Sequence, residues 1–263
     1  MQAAGDLGPF GLFTNEAVAS PVMVASHERS GTHFMMNAIG LNSAYRNTPW
    51  LNFDLDATGS RGNIWNAGGV RGFFNFLEQR HCSSIIKCHF AADFFVFPGG
   101  ETVFSPQQKV IYIARQPAAT LLSFQRYLWV QPVNEGPGKR DFGEFVRAPA
   151  EGLIRRYQLA TTRNIAERWL NHVLGWHQLA ARCDNVLFVS YARLDLEFEA
   201  TMRRVLDFIG VEAPRVLHRP DPEKDTFRIS SNGLDQPSRI AALAEIRAAI
   251  GSEKLDLALA LLA

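Results

Sequence analysis

The chain has 263 residues, with 27 Lys and Arg against 26 Asp and Glu, a formal net charge of +1. That near-neutrality excludes a general binder of nucleic acid or anionic membrane, so any anion site has to be local. No window is apolar for long enough to span a bilayer, and residues 1–20 lack the basic start and apolar core of a signal peptide.

Taken in chain order, residues 1–20 read as an N-terminal extension and Val22–Val24 as a short buried strand. A polar turn, Ser26 to Ser30, leads into a helix over Thr32–Leu41. Residues 42–70 carry Asn, Gly, Pro and the tryptophans Trp50 and Trp65, and read as a long loop. The cluster Phe73, Phe74, Phe76 reads as core, followed by strands at Ser84–Cys88 and Val110–Ala114 and a helix over Ala118–Trp129. Residues 131–149, rich in Gly and Pro, read as a second long loop; both loops are candidate lids. A helix over Glu151–Ala181 follows, with Trp169, His172, Trp176 and His177 as packing residues. The remaining elements are a strand at Val186–Val189, a helix over Glu197–Ile209 closed by Gly210, and a helix from Ser238 onward. Buried strands alternating with helices predict an α/β fold, a parallel β-sheet flanked by helices, as one domain over residues 1–263. Cys82, Cys88 and Cys183 are odd in number and lack metal-ligand spacing, so reduced thiols and a cytoplasmic location are expected.

The strand–turn–helix at Pro21 to Asn37 is the most informative stretch. It aims unpaired backbone N–H groups and a helix dipole at one point, a ready anion site. Arg29 adds a fixed charge, Ser30 and Thr32 add hydroxyls, and Gly31 allows close approach. It is not the usual nucleotide-triphosphatase loop, because Ser26 or Ala25 replaces the first glycine and Thr32 replaces the lysine. The segment alone fits equally well an ordinary junction with Ser30 as N-cap. In the second strand, Lys87 and His89 share a face and suit proton transfer beside a developing negative charge, or are two solvated residues where the strand leaves the sheet. Arg115 ends the third strand where open α/β sheets bind ligands, with Pro117 opening the next helix and Ser123 in its second turn. Taken singly, Arg115 could equally be a surface arginine, and Ser123 reads as an ordinary helix serine.

These pieces, in this order, resemble the sulfotransferase superfamily. Its first motif, roughly P-K-S-G-T-T-W, is similar to Glu28-Arg29-Ser30-Gly31-Thr32-His33-Phe34. Its K-T-H-L is similar to Lys87-Cys88-His89-Phe90, and its V-I-Y-V-x-R-N-P with a later serine to Val110–Pro117 and Ser123. A Y-E-D-L segment and a helix ending F-L-G are similar to Tyr191–Leu194 and Asp207–Gly210. The resemblance covers most of residues 21 to 230 and implies a P-loop-like nucleotide-binding core with 3′-phosphoadenosine 5′-phosphosulfate as donor and no metal.

By matched position, the resemblance implies that Arg29, Ser30, Gly31, Thr32 and His33 bind the 5′-phosphate and that Arg115 and Ser123 hold the 3′-phosphate. Phe34 stands where the family stacks tryptophan on adenine, and Tyr191 matches an adenine-contacting tyrosine. His89 is the implied general base, with Lys87 and Arg29 neutralising charge on the transferring group. The chain departs from the pattern in Arg29, His33 and Phe34, and near residue 228, where Arg228 alone is left of a phosphate-gripping R-K-G, with Gly233 a loose stand-in for its glycine. The implied reaction is sulfuryl transfer to a hydroxyl of a small-molecule acceptor, with no nucleic acid or membrane partner. Phe90, Phe94, Phe95 and Phe97 line an apolar acceptor pocket or belong to the core. Lys139 and Arg140 are loop charges that suit either an anionic acceptor or water. The acceptor as a carbohydrate, an ATP-dependent kinase-like enzyme, and a non-catalytic nucleotide binder are the alternatives.

Overall fold

The computed structural model describes residues 20–54, 67–79, 82–105, 107–130, 135–221 and 236–263. Strands β1 (Val22–Ala25), β2 (Arg46–Asn52), β3 (Ser84–Cys88), β4 (Lys109–Ala114) and β5 (Val186–Ser190) form one parallel sheet in the order β2-β3-β1-β4-β5. The chain steps left from β1 to β2 and β3, then crosses to β4 and β5. The crevice beyond the carboxyl end of β1 is therefore the topological switch point, where such sheets hold ligands.

Strand side chains alternate between two apolar layers, as a sheet covered on both faces requires. Val22, Val24, Ile85, Ile111, Ile113, Leu187 and Val189 face one cluster, with helices α1 (Thr32–Leu41) and α7 (Phe198–Phe208). Met23, Ala25, Ile86, Cys88, Val110, Tyr112 and Ala114 face the other, larger one. Packed there are α2 (Ala67–Gln79), α3 (Pro117–Val130), α4 (Phe142–Arg147), α5 (Ile165–Ala180), α8 (Gln236–Ile250) and α9 (Ser252–Leu262). The short α6 (Tyr191–Leu196) follows directly on β5.

Five expectations need correction. Residues 42–70 are not one loop: RNTPWLN forms β2, an edge strand, where a proline is tolerated because one row of backbone groups goes unpaired. Residues 131–149 contain α4, whose N-cap Asp141 accepts from Glu144 N at 2.8 Å. The helix over Glu151–Ala181 divides into a 3-10 turn, Gly152–Tyr157, and α5. The start signal Asn164-x-x-Glu167 outranks periodicity there, with Asn164 accepting from Glu167 N and Glu167 from Arg163 N. The C-terminal run breaks at Gly251, φ 89°, into α8 and α9. Phe74 is core, whereas Phe76 is 46% exposed, because it falls on the outer face of α2. All three cysteines are free and buried, and among the described residues no helix is long and apolar enough to cross a membrane.

Candidate active site

The carboxyl ends of all five strands supply the site: the 26–32 turn after β1, Asp54 after β2, His89 after β3, Arg115 after β4 and Tyr191 after β5. The turn after β1 is strained. Arg29 has φ 67°, in the left-handed region that costs a non-glycine residue about 1–2 kcal/mol. Gly31, φ 102°, is the N-cap of α1. A Cβ there would lie 2.4 Å from Cδ2 of Tyr191, so a side chain is excluded by both backbone and space. Ser30 is not an N-cap: no side chain caps α1, and Ser30 Oγ is buried with no hydrogen-bond partner. An orphaned hydroxyl beside a helix N-terminus fits a bound anion. Thr32 Oγ1 lies 2.5 Å from Ser26 Oγ.

His89 is buried and its ring is locked. Nδ1 lies 2.9 Å from the Ser26 carbonyl oxygen, which can only accept, so Nδ1 carries the proton and Nε2 the lone pair. Burial pushes its pKa well below the usual histidine value, and Lys87 adds to this while Glu28 opposes it. His89 is therefore neutral at physiological pH. Asp54 ties the two candidate catalytic residues together, accepting from His89 N at 2.8 Å and from Lys87 Nζ at 3.3 Å. Burial raises the Asp54 pKa and Lys87 opposes that shift.

Behind His89 lies a buried polar chain. His172 Nε2 donates to the His89 carbonyl at 3.1 Å, so its Nδ1 accepts from the Tyr112 hydroxyl at 2.9 Å. Both His172 and His27 are buried and neutral, with pKa values lowered by burial to about 3 and about 4. Arg168 grips Glu28 with both terminal nitrogens, at 2.8 and 2.9 Å, and donates to His27 Nε2 at 2.8 Å. Burial alone would raise the Glu28 pKa, but Arg168 and His27 hold it below the carboxylate range. A cleft of about 130 Å³ between Ala91–Asp93 and α5 borders Arg168 and His172.

Arg29 Nε donates to Ser123 Oγ at 3.1 Å, and the Arg29 guanidinium lies 5.5 Å from the centre of the Tyr127 ring. Arg115 sits over Tyr191 at 4.8 Å, and Tyr191 meets Phe34 edge-on at 5.9 Å. Arg219 covers both Phe34 and Phe198. The His33 ring packs against Trp50 at 5.2 Å.

The structure thus brings together Arg29, Ser30, Gly31, Thr32, His89, Lys87 and Ser123 on one side, and Arg115, Tyr191 and Phe34 on the other. Arg228 and Gly233 lie outside the described residues. Phe90, Phe94 and Phe95 are buried in the core, and Phe97 is half-buried under Arg71. Gln125 Nε2 donates to the carbonyls of Lys139 and Arg140, and the Arg140 guanidinium covers Trp129. Sequence reasoning missed Asp54, His27, Glu28, Arg168 and the hydrogen-bonding role of His172. One signal was available: a glutamate in an apolar strand–turn context must find a cation. Among the described residues, no group of three or more His, Cys, Asp or Glu is placed to hold a metal ion.

A model of the sulfotransferase domain matches residues 19–224. Human sulfotransferase 2B1 is 22% identical over 216 residues, covering 77% of this chain and 52% of that protein. The mouse sulfotransferase 2B1 is 21% identical over 216 residues, with 77% and 56% covered. The chain thus spans about half the length of the curated relatives it matches. The crystal structure of mouse sulfotransferase SULT7A1 complexed with PAP shares the fold, with a TM-score of 0.56 at 18% identity over 95% of this chain and 94% of that one.

Proposed function

The chain belongs to the sulfotransferase domain family, and from that premise we propose that it transfers a sulfuryl group from 3′-phosphoadenosine 5′-phosphosulfate to a hydroxyl of a small-molecule acceptor. One observation carries the reading: the anion cradle and the base are a single unit, joined where Ser26 O accepts from His89 Nδ1 at 2.9 Å. That bond leaves the Nε2 lone pair to take the acceptor's proton. The solved structure with PAP supports the adenylyl donor by likeness of fold.

The donor supplies the sulfuryl group and leaves as the bisphosphate, while the acceptor oxygen takes the new bond to sulfur and gives up its proton. The protein's residues have distinct parts in this. Gly31 N–H, Ser30 Oγ and Thr32 hold the 5′-phosphate at the start of α1, with His33 contributing beside them. Arg115 and Ser123 hold the 3′-phosphate, and Phe34 and Tyr191 flank the adenine. Lys87 and Arg29 face the charge that builds on the transferring group and the leaving oxygen. A bound anion opposite Lys87 also raises the proton affinity of His89 from its depressed value towards one useful in catalysis.

Calorimetric titration with 3′-phosphoadenosine 5′-phosphate, beside ATP with and without magnesium, tests the donor. Magnesium-independent binding of the bisphosphate, weakened in Arg115→Ala, is expected. Preferred binding of ATP with magnesium would replace this reading with the kinase-like one. Sulfated product from a panel of phenols, alcohols and sugars then assigns the acceptor.

A further inference from the structure

The family pattern begins with proline where this chain has Glu28. A carboxylate placed there is 7% exposed, and a buried charge is costly unless paired and hydrogen-bonded. Arg168, 2% exposed, supplies the pair from across the sheet, bidentate to Glu28 and bonded to His27 as well. Glu28 directly precedes Arg29, the residue held at φ 67°. The side chains of the two residues before the strained one are thus anchored by one guanidinium.

The same helix holds the base. Arg168, His172 and Trp176 recur every fourth residue on one face of α5. His172 donates to the carbonyl of His89 at 3.1 Å, and Trp176 Nε1 to that of Phe90 at 3.1 Å. A single rigid element therefore sets the cradle and the imidazole relative to each other. Packing alone would need no polar atom at any of the three positions.

We propose that Arg168 and Glu28 are positioning residues for the reaction: the pair fixes the turn that carries Arg29 and, through α5, the place of that turn relative to the His89 imidazole. Its part in the reaction rests on the sulfuryl-transfer reading with His89 as base. The groups that face His89 are Lys87 on β3, Glu28 in the turn, His33 on α1, His172 on α5, Asp54 beyond β2 and Tyr157 in the 3-10 turn. His27 and Arg168 stand behind Glu28. Among these, Glu28 favours the protonated imidazole, while Lys87 and His33 disfavour it. Removing the Glu28 charge therefore lowers the pKa of His89.

The test compares the full chain with Glu28→Gln, Arg168→Lys and the double variant Glu28→Gln/Arg168→Met, which leaves no uncompensated charge. Readouts are thermal unfolding, calorimetric affinity for the bisphosphate, NMR titration of the His89 imidazole, and the acid limb of the turnover profile. The double variant is expected to melt near the parent, yet to bind the bisphosphate at least tenfold more weakly. In Glu28→Gln, which removes the carboxylate charge alone, the His89 titration and the acid limb are expected to move together to lower pH. Arg168→Lys, which keeps charge but loses the fork, should retain the His89 titration and recover only part of the affinity.

A folded double variant that binds the bisphosphate like the parent would assign the pair to stability alone and overturn the proposal. Should the double variant not fold, Glu28→Gln decides, since its amide oxygen still accepts from Arg168; an unmoved His89 titration overturns the proposal there too. A parent that fails to bind the bisphosphate would instead sink the functional reading. The His89 titration would then still judge the pair.

Discussion

On the His89 flank, buried side chains are held by directed hydrogen bonds: His89 to the Ser26 carbonyl, His172 to the His89 carbonyl and the Tyr112 hydroxyl, and Arg168 to Glu28 and His27. On the Arg115 flank they meet through ring faces and edges, with Arg115 on Tyr191, Tyr191 on Phe34, and Arg219, 44% exposed, over Phe34 and Phe198. Hydrogen bonds set angles and protonation states, whereas ring contacts tolerate sliding. On the proposed reading, the first flank is built in advance for moving a proton, and the second admits a flat ring such as an adenine.

The comparison breaks most directly at His89. His89→Ala is expected to cut turnover by about 10²–10⁴-fold with bisphosphate affinity nearly unchanged, and near-normal turnover would remove the residue from its role. Arg168→Met, which strands the Glu28 charge, should destabilise the fold by about 3–5 kcal/mol, read as a lowered denaturant midpoint. On the aromatic flank, Phe34→Ala should leave stability almost intact but weaken bisphosphate binding by about 1–3 kcal/mol, the scale of base–aromatic stacking. Equal losses of stability from the last two variants would erase the distinction between the flanks.

Acid sharpens it further. His27 and His172 are neutral in the folded protein, with pKa values near 4 and 3, against 6.5 unfolded. Unfolding therefore takes up protons below pH 6.5. Stability contributed by these groups is full above that value and falls as pH drops, by up to about 1.4 kcal/mol per unit for each histidine, until each folded pKa is passed. Glu28, held low by Arg168, contributes a loss only in stronger acid. Urea midpoints measured at pH 7, 6 and 5 check this, and an unchanged midpoint would contradict it.

What the sequence discloses follows from distance along the chain. The turn at residues 26–32 is local, so its glycine, hydroxyls and arginine can be read directly, and β1, β3, β4 and β5 show themselves as apolar runs. Strand β2 does not, because an edge strand permits the Asn and Pro that also make loops. Asp54, Glu28 and Arg168 escape notice because their meaning lies in partners far along the chain: Arg168 and Glu28 are 140 residues apart, and Asp54 and Lys87 are 33. For the phenylalanines after His89 the sequence leaves pocket and core both open, because the choice depends on distant partners: Phe90 packs on Phe53, Phe94 on Phe90 and Phe95 on Trp176.

Because each strand of the sheet ends at the same crevice, the order of events in refolding is constrained. Residues from Ser26 to Tyr191 must be in register before the last wall of the crevice exists, and long-range parallel pairing is slow to form. Helices α1 and α5 can appear early without creating any affinity. During refolding from denaturant, the far-ultraviolet circular dichroism signal should therefore recover ahead of bisphosphate binding, with the lag reporting the docking of β5 onto β4.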